Sequence, residues 1–70
     1  MSIERHHRKP KSRGGSNHPS NISRVERRKH LAFHTLFTKN GHPMSVHEIA
    51  VELNRVWIDP EWTLIPKPKR

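Results

Sequence analysis

All but two of the 21 apolar side chains fall between Ile22 and Ile65, so any hydrophobic core must be built inside that window. The longest unbroken apolar runs are three residues each: Leu31-Ala32-Phe33, Ile49-Ala50-Val51 and Val56-Trp57-Ile58. None approaches the ~20 residues of a membrane span or the apolar stretch of a secretory signal, so the expected location is the cytoplasm. A chain of 70 residues hides only roughly 60% of its unfolded surface on folding. That leaves no room for a nucleotide-binding α/β domain, a barrel or a deep substrate pocket, and the expectation is a non-catalytic protein without a cofactor. Cysteine is absent, so neither disulfides nor a thiolate zinc site reinforces the fold.

The net charge of +8 divides unevenly. Residues 1–21 carry Arg5, Arg8, Lys9, Lys11 and Arg13 against Glu4. Residues 22–66 are close to balanced, and Lys67, Lys69 and Arg70 close the chain. The first 21 residues, rich in turn formers and almost free of apolar side chains, read as a disordered basic arm. Residues 66–70 read as a mobile basic, proline-rich tail, and 22–65 as the folded unit. Charge concentrated at both ends favours an anionic partner.

Inside the folded unit, Ser23 and Glu26 fit a capping box, and Val25, Ala32, Phe33, Leu36 and Phe37 recur at helical spacings. A first helix is predicted at 24–39, with Gly41 beyond its end. Ser45 and Glu48 form a second capping box, flanked by Met44 and Ile49 as a hydrophobic staple. Val46, Ile49, Ala50, Leu53 and Trp57 then predict a helix from 46 to between 54 and 57. Around Asp59-Pro60-Glu61 the pattern fits either a short third helix or a small hairpin. The predicted fold class is mainly α: a two-helix hairpin, a short third helical or hairpin segment, and disordered basic tails.

Residues 41–53, Gly-His-Pro-Met-Ser-Val-His-Glu-Ile-Ala-Val-Glu-Leu, resemble the opening of helix-turn-helix and winged-helix domains. Beyond Leu53, where such a domain carries its recognition helix, this chain offers Arg55 among large apolar residues, poor material for reading base edges. With the arm Arg5–Arg13 and the basic run Arg24, Arg27, Arg28 and Lys29, the chain resembles small phage-encoded regulators that bind bacterial RNA polymerase. The resemblance implies a monomeric, non-catalytic transcription regulator of initiation or termination in the host cytoplasm. Arg5, Arg8, Lys9, Lys11 and Arg13 would approach nucleic acid non-specifically. Arg24, Arg27, Arg28, Lys29, Arg55, Trp57 and Trp62 would contact the polymerase. The alternatives are a ribosome-associated or RNA-binding basic protein and a degenerate winged-helix DNA binder. Trp57 and Trp62 would otherwise close the core.

Of the seven histidines, His30 and His34 stand four apart on the first predicted helix, while His42 and His47 lie in and after the loop between the helices. An i, i+4 pair can chelate zinc or nickel, but without cysteine or an H-E-x-x-H pattern the expectation is incidental affinity and no metal site.

Overall fold

The computed structural model describes residues 2–70. Strand β1 (Ile3–His7) pairs antiparallel with β2 (Ile22–Glu26) in the register Ile3↔Glu26, Glu4↔Val25, Arg5↔Arg24, His6↔Ser23 and His7↔Ile22. Bonds from Arg27 N to Ser2 O and from Arg8 N to Asn21 O extend the ladder at both ends. Helix α1 (Arg27–Leu36) leaves β2 directly and packs back across both strands. A second, minimal ribbon joins β3 (Thr38–Lys39) to β4 (His42–Pro43). Helix α2 (Val46–Glu52) follows and runs into a π turn at Leu53–Trp57, closed by the bond from Ile58 N to Leu53 O at 2.9 Å. No helix among the described residues is long and apolar enough to cross a membrane.

The mainly α expectation is therefore corrected: 41% of the structure is helix and 20% strand, arranged as two two-stranded antiparallel sheets and two helices. The two-helix hairpin is replaced as well: α1 packs on the ribbon, and α2 runs on without a break into the π turn. The basic arm was expected to be a disordered tail, yet its residues 3–7 form β1. Pairing decides this, not local propensity: Ile3 and the histidines gain a cross-strand partner some twenty residues away.

Local signals fared unequally. Ser45 caps α2 with both halves of the box present, Glu48 N donating to Ser45 Oγ at 3.2 Å and Ser45 N to Glu48 Oε1 at 2.9 Å. The Ser23–Glu26 box does not form. Ser23 lies within β2, and α1 starts after Glu26 with no side-chain cap. Gly41 does not end α1; with Asn40 it makes the two-residue turn of the β3–β4 hairpin, both at positive φ (52° and 77°). That is the type I′ geometry that Asn-Gly favours. After Trp57 the chain forms neither helix nor hairpin. A turn at 59–62, with Trp62 N donating to Asp59 O, leads into an extended end that Asn54 pins by exchanging two side-chain bonds with Leu64.

Candidate metal centre and its basic cavity

Alternation along β1 sends Glu4 and His6 toward α1. From α1, His30, Phe33, His34 and Phe37 recur at i, i+3, i+4 and i+7 and form the face that meets them. His6 stacks edge-on against Phe33, with ring centroids 4.8 Å apart, and against His30 at 5.2 Å. The nitrogen ligand atoms of His6, His30 and His34 all lie within 4.8 Å of one another.

Hydrogen bonds orient these rings. His30 Nδ1–H donates to Glu4 Oε1 at 2.9 Å, which leaves the His30 Nε2 lone pair facing inward. His34 Nε2 stands 3.0 Å from it. His34 Nε2–H donates to it; two nitrogens on one tetrahedral zinc at ~2.05 Å are roughly 3.3 Å apart, so loss of that proton and a slight opening of the pair would let both rings hold one ion. A carboxylate behind a ligating imidazole is the usual outer partner that fixes the tautomer and raises basicity. The His6 pKa lies below the ordinary histidine value, first because the ring is partly buried and then because His30, His34 and His7 surround it with like charge. Neutral imidazole is the form that binds metal. The donor set therefore fits a borderline transition-metal ion such as zinc or nickel, with three protein ligands and one position open.

His7 follows immediately on β1. Its Nε2 lies 2.8 Å from Asn17 Oδ1; with Nε2–H donating there, Nδ1 carries the free lone pair. Asn17 sits in the long connection between β1 and β2, and Asn21 holds that connection in shape. The Asn21 amide donates to Lys9 O at 3.0 Å and Ser16 O at 2.8 Å, and its Oδ1 accepts from Lys9 N at 2.7 Å. At Gly15 a Cβ would stand 1.8 Å from Lys9 O, so only glycine fits the close return of the chain. Arg13 ties the connection to the far wall by donating Nε and Nη2 to Pro43 O at 3.0 and 2.6 Å, with Glu48 3.8 Å away.

These elements enclose an open cavity of about 700 Å³ along the free edge of β1. His6, His7, His30 and His34 line it together with Arg5, Arg8, Lys9, Lys11 and Arg13. All five residues assigned to nucleic acid from sequence are thus gathered around the histidines, over a lining that is otherwise largely apolar: Phe33, Phe37, Pro43, Met44, Val46 and Ile49. Arg27, Arg28 and Lys29 are exposed at the start of α1, whereas Arg24 lies on β2 and not in the helix. Arg55 is exposed on the π turn. Trp57 and Trp62 stay 54% and 70% exposed and do not close the core; Trp57 Nε1 donates to Glu52 Oε2 at 3.3 Å. His42 and His47 are exposed and stand outside the cluster.

Comparison with protein-family models, with curated proteins and with solved structures finds no match.

Sequence reasoning noted the His30–His34 spacing but expected no metal site there, and it singled out none of His6, His7, Glu4, Asn17 and Asn21 for such a role. Two signals were present: the His6-His7 doublet, and a helical face in which histidine and phenylalanine alternate at core spacings.

Proposed function

We propose that this chain is a divalent-metal-dependent hydrolase of phosphodiester bonds in nucleic acid. The observation that carries the reading is the convergence of three clustered imidazoles and a fourth, separately oriented one in a single cavity whose lining also includes five cations. His6, His30 and His34 would hold the ion, with Glu4 fixing His30. Bound there, the ion supplies Lewis acidity toward a phosphoryl oxygen. His7, which lines the same cavity from the other face of β1, would accept the proton of the attacking water at Nδ1, with Asn17 keeping the ring in that tautomer; as the bond from the water oxygen to phosphorus forms, a P–O ester bond breaks and the leaving alkoxide takes its proton from solvent. Arg8, Lys9 and Lys11 draw in and hold the polyanionic substrate, since phosphate contacts dominate the affinity of such complexes and carry no sequence preference.

The test is nicking of supercoiled plasmid by chelator-stripped protein resupplied with magnesium, manganese, zinc or nickel. Cleavage is expected with at least one of them. His7→Ala should lower it by about 10²–10⁴-fold while calorimetry shows metal binding retained; His34→Ala should lose both. Absence of nicking with every metal removes the reading.

A second reading draws on a different observation, the exposed Trp57 and Trp62. Tryptophan is enriched at interface hot spots, and these two support a non-catalytic cytoplasmic regulator that docks on bacterial RNA polymerase. It requires co-purification with polymerase after nuclease treatment, weakened by joint replacement of Arg27 and Arg28 with glutamate.

A further inference from the structure

Because Glu4 and His6 face α1, the residues between and beside them on β1, namely Ile3, Arg5 and His7, belong to the opposite face of the ribbon. On that face Arg5 stands directly across from Arg24 of β2. Both are exposed, and neither is paired with a carboxylate among the described residues: the ion pairs there engage Arg13, His30 and Lys39. Glu26, two residues beyond Arg24, makes none of them. Like charges directly opposite on a two-stranded ribbon are destabilising, and the carboxylate on that face, Glu26, stands diagonal to Arg5 without an ion pair to either arginine. Directly opposed residues hold their Cβ atoms about 5 Å apart, close enough for two guanidinium groups to reach one tetrahedral anion. Arg5 also lines the histidine cavity, and His7 lies two residues further along the same face, about 7 Å away.

We propose that Arg5 and Arg24 form a clamp for a backbone phosphate of nucleic acid, next along the strand from the phosphate presented to His7. This assignment rests on the phosphodiesterase reading for the position of the clamp, but binding by the clamp needs neither metal nor cleavage. The anion removes the repulsion between the two guanidiniums, and each presents a planar fork to its oxygens. Once the clamp is filled, the neighbouring phosphate is held in register with His7, which is how a side chain remote from the reacting atoms raises substrate affinity.

The experiment uses the full chain in chelator, where no cleavage takes place, with a fluorescein-labelled random-sequence duplex and anisotropy read between 50 and 200 mM salt. Arg5→Gln and Arg24→Gln should each weaken binding by about tenfold at the low-salt end and flatten the slope of log affinity against log salt by about one, the loss of one phosphate contact. Calorimetric zinc affinity should be unchanged in both, and in the nicking assay KM should rise with kcat preserved. Weaker binding by both variants, even if the wild type nicks with no metal, upholds the clamp and removes only the nuclease reading. Unchanged affinity and slope overturns the clamp. So does unchanged DNA binding accompanied by lost retention on immobilised RNA polymerase, which would assign the pair to a protein surface.

Discussion

At His6 the environment works against the charged imidazolium: partial burial is the larger cause, and the fields of His30, His34 and His7 add to it. The folded state therefore binds the His6 proton less tightly than the unfolded chain does. The resulting stability is complete above the ordinary histidine value of about 6.5 and is lost as pH falls through it toward the folded value. The same proton competes with a metal for the ring nitrogen. Stability and zinc affinity should accordingly decline together between pH 7.5 and 5.5, and His6→Gln should flatten the stability profile. Thermal melts and calorimetry across that range provide the check; a His6→Gln profile identical to wild type would remove His6 from the account. The sequence made His30 and His34 visible because an i, i+4 spacing is local. Their partner was hidden, because His6 reaches them only through a strand pairing that no local pattern announces.

The elements show the same division. Helix α2 was legible from its residues: Ser45 and Glu48 cap each other whatever the rest of the chain does, and the structure contains both bonds. The bonds from Ser45 also hold the Glu48 carboxyl below its usual pKa, with Lys39 and Arg13 adding to the effect. Stability from this box is present above the ordinary carboxylate range and is lost as pH falls through the lower folded value. Ser45→Ala should cost about 0.5–2 kcal/mol in urea unfolding at neutral pH. The Arg13 strap should survive the change, since Glu48 Oε1 accepts from the Ser45 backbone N–H, which alanine keeps, and Arg13 donates chiefly to Pro43 O. Helix α1 was only half legible. Its apolar spacing was real, yet its proposed start was taken by β2, because Ile22 and Val25 gain more from cross-strand partners than Ser23 gains as a cap. Asn40-Gly41 was read as the end of a helix when its chemistry equally specifies a hairpin, and the tight β3–β4 pairing used it that way.

For the whole molecule the governing fact is how little is hidden. Ala50 is the single buried apolar residue among those described. The radius of gyration is 13.2 Å, against roughly 11 Å for a compact domain of this length. A chain this small has little core to spare, many small domains add a disulfide, a metal or a partner, and cysteine is absent. Zinc or nickel at about a hundred times its dissociation constant should add ~2.7 kcal/mol, which for a domain of this size raises the melting midpoint by on the order of 10–20 °C. Differential scanning fluorimetry with and without chelator measures this directly, and equal midpoints would mean that the histidines hold no ion. Seen as polymer physics, an ion shared by His6 and His34 is a cross-link that closes a loop of about 30 residues. On the chain-entropy estimate such a closure withholds roughly 3–4 kcal/mol of disorder from the unfolded chain, as a disulfide of the same span would. Unlike a disulfide, such a link would open with a chelator or with mild acid, so under the proposed reading the stiffness of this chain would follow the supply of metal around it and not the redox state.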